Sequence, residues 1–178
     1  PELSETAIRP ATTADADAIA AIYAPYVRDT AITFEEEPPD AGEMARRIAA
    51  SPAHPWLVAE SADIAVGYAY AAPFHPRPAY RWSVETRVYV GRGRHRQGIG
   101  SALYRRLLDE LKQAGFTTAV AGIALPGEAS VLLHERFGFV KVAHYAAVGY
   151  KLGAWHDVGW WQRPLATQST PPHEPHQP

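Results

Sequence analysis

The stretch Tyr80-Arg-Trp-Ser-Val-Glu-Thr-Arg-Val-Tyr-Val-Gly-Arg-Gly-Arg-His-Arg-Gln-Gly-Ile-Gly-Ser-Ala-Leu-Tyr104 reads as a strand, an anion-binding loop and a helix in succession. From residue 84 to residue 90, Val84, Thr86, Val88 and Val90 alternate with Glu85, Arg87 and Tyr89. This is the period-2 pattern of a strand whose two faces differ, and the face bearing Glu85 is the one able to do chemistry. After Gly98, the residues Ile99, Leu103, Leu107 and Leu111 recur at steps of four, an apolar stripe on a helix that Gly115 ends.

That helix begins among Arg92, Arg94, His95 and Arg96 and among closely spaced glycines. The first N–H groups of a helix lack intrahelical partners and lie at the positive end of its dipole, so they attract anions. Glycines let a phosphate approach the backbone, and the basic side chains add donors for a diphosphate. The plain alternative is a glycine-eased turn with solvated arginines. A P-loop is excluded, because the Lys and Ser/Thr that would follow its second glycine are absent. Gly91-Arg-Gly-Arg-His-Arg also lacks the third glycine of a dinucleotide fingerprint.

The run His95-Arg-Gln-Gly-Ile-Gly100 resembles the acetyl-coenzyme A loop of the GCN5-related N-acetyltransferases, which carries Gln or Arg, two residues, Gly, one residue, then Gly or Ala. Three further runs look like the phosphinothricin acetyltransferase branch of that family: residues 80 to 90, Leu133-His-Glu-Arg-Phe-Gly-Phe139, and Gly153-Ala-Trp-His-Asp-Val-Gly-Trp-Trp-Gln162. The resemblance covers roughly residues 6 to 165. There are two departures: His95 stands where the family has Gln or Arg, and Gly127 stands where relatives carry an asparagine.

The rest of the chain is consistent with one domain. With 178 residues, 47% hydrophobic and 20% charged, it is long enough for a single well-buried core. A net charge of −2 gives no global pull toward nucleic acid or anionic lipid, so the arginine cluster is a local feature facing a small partner. Cysteine is absent, which removes disulfides, thiolate metal sites and a cysteine nucleophile. No apolar run is long enough to span a bilayer and no leader pattern is present, so a cytoplasmic protein is expected.

Along the chain, residues 3 to 9 read as a first strand, and Thr12-Thr-Ala-Asp15 as a capping box before a helix that Pro25 kinks or ends. A second helix follows from about residue 40 to 50. Residues 56 to 60 and 65 to 71 read as an antiparallel hairpin, and residues 73 to 80 as a proline-stiffened loop. Beyond the loop helix come a strand at 116 to 123, a short helix ending near Gly138, and closing strands at 140 to 150 and 158 to 163. The order β, α, α, β, β, β, α, β, α, β, β is that of an α+β fold in three layers. The resemblance implies a mixed, mostly antiparallel sheet with a splayed pair of central strands. Residues 1 to 165 form the domain, and residues 166 to 178, polar and proline-rich, read as a disordered tail. His173 and His176 have no further ligands nearby in sequence, and no metal is expected.

The resemblance implies acetyl-CoA as cosubstrate. Its pantetheine arm would run along Val88, Tyr89 and Val90, with the diphosphate at Arg94, His95, Arg96, Gln97, Gly98, Ile99, Gly100 and Ser101, and Ser130 as a donor from the next helix. A protonated amine cannot attack a thioester, so a base must take its proton. Glu85, expected among Trp82, Tyr89 and other aromatics, fits that task if desolvation raises its pKa. His134 stands where the branch places a histidine, as a second base or as the acid for the departing thiolate. A backbone N–H at 88 to 90 would serve as oxyanion donor. The acceptor pocket is assigned to Phe34, Tyr89, Arg77 and Arg81, the arginines pairing with a carboxylate or phosphinate. Plain solvation of those arginines and plain packing of Phe34 are the alternatives. The numerous Trp and Tyr near the C-terminal end read as packing and a subunit interface, with a homodimer expected.

The expected activity is acetyl transfer to the α-amino group of a phosphinothricin, methionine sulfoximine or methionine sulfone type of amino acid. Another small amine, a polyamine or a protein N-terminus remains as acceptor; a non-catalytic acyl-CoA-binding module and an RNA-binding role are the readings from other classes. The net acidity and the narrow basic patch speak against the last.

Overall fold

The computed structural model describes residues 6 to 50 and 52 to 176. Its strands are β1 (Ala7–Pro10), β2 (Trp56–Ser61), β3 (Ile64–Pro73), β4 (Ser83–Val90), β5 (Thr118–Ala124), β6 (Val140–Lys151) and β7 (Ala154–Pro164). Its α-helices are α1 (Ala16–Asp29), α2 (Ala41–Ala49), α3 (Ile99–Gln113) and α4 (Glu128–Arg136). The order is the one read from the sequence, with short 3₁₀ turns added before α1 and β4. The expected first strand begins at Ala7; residues 3 to 5 of it lie outside the described residues.

The seven strands form one sheet in the order β1-β2-β3-β4-β5-β7-β6. Every neighbouring pair is antiparallel except β4 and β5, which run parallel. Their parallel pairing spans only Ser83↔Thr118, Val84↔Ala119 and Glu85↔Val120. From Thr86 onward β4 remains paired with β3 alone, so the sheet forks in its middle immediately after Glu85.

The alternation of β4 sorts its side chains between two cores. Val84 and Thr86 are buried, and Val84 belongs with Val88 and Val90 to the cluster under α3, where Ile99, Leu103, Leu107 and Leu111 are each at most 4% exposed. Tyr89 points the other way, into a second cluster with Tyr23, Tyr68, Met44 and the apolar side of α1. Helices thus cover both faces. Each buried leucine of the α3 stripe contributes roughly 1.5–3 kcal/mol by leaving water.

Pro25 does not end α1, one of the two expectations for it, since the helix runs on to Asp29. Proline removes one backbone donor there. Buried Val27 and the Tyr26 hydroxyl, which donates to the Val90 carbonyl, tie the last turn to the sheet and outweigh that loss. Asp40 caps α2 by accepting from the Glu43 N–H at 2.8 Å, as its position before the helix suggests. Residues 165 to 176 form no helix or strand, yet they lie against the body. The Leu165 and His176 amides donate to Thr117 and Ala114 carbonyls, and the Trp82 indole donates to the His173 carbonyl. No helix among the described residues is long and apolar enough to cross a membrane.

Candidate active site

The fork in the sheet opens into a cavity of about 800 Å³. Its walls come from five places: the segment after α1 (Ile32 to Glu35), β4 (Glu85 to Tyr89), the end of β5, the first turns of α4, and aromatic or apolar residues of β6 and β7. Glu85 occupies the last paired position before β4 and β5 part. An extended ligand lying in the gap would therefore end beside its carboxylate.

The surroundings of Glu85 differ from the aromatic cage expected. Arg87, two residues on and on the same face of β4, donates to Glu85 Oε1 from Nη2 at 2.5 Å and from Nε at 3.1 Å. Trp82 is turned away, stacked under the Arg81 guanidinium at 3.8 Å. Glu85 is thus held by a guanidinium, with its Oε2 bonded to no described residue.

A second carboxylate, Glu35, also lines the cavity. Burial alone would raise its pKa, but hydrogen bonds from Arg47 at 2.7 and 3.1 Å and from the Tyr23 hydroxyl at 2.9 Å outweigh this and hold it below the usual carboxylate range. Beside it, Phe34 lies against Gly149, where an added Cβ would overlap the ring. Lys151, almost fully buried, donates to the Thr33 carbonyl at 2.7 Å and pins the same segment to β6. Burial lowers the Lys151 pKa, partly offset by Glu36 and Glu35.

His134 lines the cavity from α4 but is almost fully buried. A carbonyl can only accept, so its Nδ1–H donates to Ser130 O at 2.7 Å, which leaves Nε2 to accept from the Tyr104 hydroxyl at 2.6 Å. The Tyr104 oxygen lies 3.1 Å from Thr86 Oγ1, and the chain links α4, α3 and β4. Burial lowers the His134 pKa against the opposing effect of Ser130, so the ring is neutral at neutral pH. Both ring nitrogens are engaged.

At the far end of β4 the backbone turns into the cradle. Gly98 caps α3 in the left-handed region, φ +79, with nothing within 4 Å of an added Cβ. Arg96 also has a positive φ, 64°, uncommon for a residue with a side chain and suited to turning successive N–H groups to one side. Residues 92 to 98 are exposed, Ile99 is buried, and Gly100 and Ser101 are partly covered. A Cβ on Gly100 would meet only ordinary contacts with Leu133, Val90 and Val88, so the protein itself does not demand glycine there. Gln97 donates to the Gly93 carbonyl at 3.3 Å, and Arg92 is paired with Asp29. His95 is drawn to Tyr26: because Tyr26 gives its proton to Val90 O, His95 Nε2–H, 2.9 Å away, donates to the Tyr26 oxygen. The side chain departing from the usual pattern therefore braces the loop against α1.

The structure gathers Glu85, Val88, Tyr89, Phe34, Ser130 and His134 around the cavity; the residues from Val90 to Ser101 follow from the end of β4 into the start of α3 and do not line it. It does not bring Arg77 and Arg81 there. Both border a separate depression of about 210 Å³, and Arg81 is paired with Glu174 of the tail at 2.6 Å. Sequence reading missed Arg87, Glu35 and Arg47. For Arg87 a signal existed, its i+2 position from Glu85 on one strand; the Glu35–Arg47 pair joins residues that only the fold brings together.

Comparison with known proteins agrees with this geometry. Residues 8 to 160 match the acetyltransferase (GNAT) domain family. The chain is 41% identical over 172 residues to a phosphinothricin N-acetyltransferase of Streptomyces viridochromogenes, covering 96% of this chain and 94% of the relative. It is 33% identical over 169 residues to an L-methionine sulfoximine/L-methionine sulfone acetyltransferase of Salmonella typhimurium, covering 92% and 97% of the two chains. The crystal structure of a phosphinothricin acetyltransferase from Sinorhizobium meliloti in complex with acetyl-CoA superposes with a TM-score of 0.89 at 34% identity, covering 97% of this chain and 94% of that one.

Proposed function

Because the chain belongs to the GNAT acetyltransferase family, we propose that it transfers the acetyl group of acetyl-CoA to the α-amino group of a small amino-acid analogue of the phosphinothricin, methionine sulfoximine or methionine sulfone type. The observation that carries this reading is the position of Glu85. It stands where the β4–β5 pairing stops, inside the cavity, on the strand that leads without a break into the cradle. The neighbour bound to acetyl-CoA supports the same cosubstrate here.

The residues present fit that cosubstrate. The cradle supplies backbone N–H groups at the start of α3, a left-handed glycine and the exposed Arg94 and Arg96. The unpaired side of β4 beyond Thr86 supplies extended backbone for amide pairing, although the Val90 carbonyl is already taken by Tyr26. Backbone N–H groups of the same segment, Val88 to Val90, polarise the acyl carbonyl.

In this reading Glu85 accepts a proton from the acceptor ammonium, directly or through one water. The freed amine attacks the thioester carbonyl, the C–N bond forms and the C–S bond breaks, and coenzyme A leaves as a thiolate that takes up the second proton the nitrogen sheds. Transfer is direct. His134, neutral and bonded at both nitrogens, positions α4 and β4 through Tyr104 and Thr86. The exposed apolar side chains of β6, the outermost strand, among them Val140, Val142 and Tyr150, support a homodimer, which light scattering would detect. The reading is tested by a thiol-release assay with acetyl-CoA against amino-acid analogues, polyamines and N-terminal peptides. Turnover of phosphinothricin or methionine sulfone above all amines and peptides is expected; preference for a peptide or polyamine overturns it.

A further inference from the structure

Arg87 is the only lysine or arginine among the described residues lining the cavity, against three carboxylates, Glu35, Glu85 and Glu128. About 40% of its side chain is exposed. Its Nε and Nη2 are turned to Glu85 Oε1, while Nη1 has no hydrogen-bond partner among the described residues. A guanidinium presents five N–H donors in a planar fork, so one edge can hold Glu85 while the other takes a second carboxylate. Arg47, the other nearby arginine, does not line the cavity and has each of its three nitrogens bonded to Glu35 or Glu43. Within the chain described, Arg77 and Arg81 border a different depression.

An α-amino acid carries its ammonium and carboxylate on one carbon. Side chains two apart on one strand face rise from points roughly 6.6 Å apart, which matches a small zwitterion better than a long polyamine. A carboxylate on the open edge of Arg87 leaves the ammonium facing the free Oε2 of Glu85, the group that must take its proton. The site would then have matched charges at both ends of the acceptor, whereas an acceptor with no carboxylate leaves that edge of Arg87 unpaired.

Resting on the amino-acid reading above, we propose that Arg87 binds the α-carboxylate of the acceptor and so sets the preference for amino acids over amines that lack one. The paired neighbour of the base is then also the specificity residue, and residue 87 predicts acceptor class.

The test compares kcat/KM for methionine sulfone with kcat/KM for its decarboxylated amine, in wild type, Arg87→Gln and Arg87→Lys, with calorimetric binding of acetyl-CoA as the check on folding. Removing a charge-assisted pair is expected to lower the acid-to-amine ratio by at least about tenfold in Arg87→Gln, mainly through KM of the acid. Arg87→Lys, which keeps the charge without the fork, is expected to recover part of it. If Arg87→Gln slows both acceptors equally, Arg87 only positions Glu85 and the proposal fails while the amino-acid reading stands. If wild type acetylates the amine but no amino-acid analogue, the amino-acid reading fails and takes this proposal with it.

Discussion

The two ends of β4 are built by different physics. At one end, the exposed loop of residues 92 to 98 leads into the first turn of α3, and what it offers a ligand is backbone N–H groups, a left-handed glycine and a helix terminus. At the other, the cavity is built of side chains from distant segments, each fixed by a named partner: Glu85 by Arg87, Glu35 by Arg47, Phe34 by Gly149. A backbone cradle tolerates exchange of its side chains, as His95 illustrates by bonding to Tyr26. A cavity made of paired charges does not, because removing one partner leaves the other uncompensated.

That contrast can be broken or sharpened by substitutions at either end. Glu85→Gln should lower kcat by about 10²–10⁴-fold, the usual worth of a general base, with KM for acetyl-CoA nearly unchanged; steady-state kinetics in both substrates checks this. Gly98→Val forces a β-branched residue into positive φ and should cost about 1–3 kcal/mol. Its signature is a raised KM for acetyl-CoA with no matching rise for the acceptor, and the reverse pattern would erase the division between the ends.

Gly149→Ala should cost about 1–3 kcal/mol through overlap with Phe34 and raise KM for the acceptor alone. His134→Asn should cost about 1–3 kcal/mol at neutral pH by leaving Tyr104 without its acceptor. It also carries a pH signature. The folded-state pKa of His134 is depressed, so as pH drops through the unfolded value near 6.5 the unfolded chain binds more protons and stability is lost as pH falls. Denaturant titrations from pH 7 downward should show a shallower fall in the variant. The smallest effect belongs to His95→Ala, for which KM for acetyl-CoA should change by less than about threefold, since the backbone is retained.

The same contrast decides what could be read from the sequence. The cradle is contiguous, so its glycines, basic residues and the leucine stripe of α3 announce it in one run of letters. The hairpin of β2 and β3, the strand alternation that isolates Glu85, and the element order were equally local signals. Resemblance to a family added His134 and the cavity residues Phe34 and Tyr89. What escaped was long-range: Glu35 meets Arg47 only after α1 and α2 fold together, and Arg81 meets Glu174 across 93 residues. That α1 continues past Pro25 has the same kind of cause, as tertiary anchors at Tyr26 and Val27 hold its last turn. Arg87 has the i+2 spacing to Glu85, but strand alternation alone does not say that the two side chains pair.

The most direct test is a crystal structure of the protein with coenzyme A and methionine sulfone bound together. The account predicts the diphosphate on the N–H groups at the start of α3, and the amine nitrogen about 3 Å from Glu85 or joined to it by one water. An amine placed out of reach of Glu85, for example against His134, would contradict it.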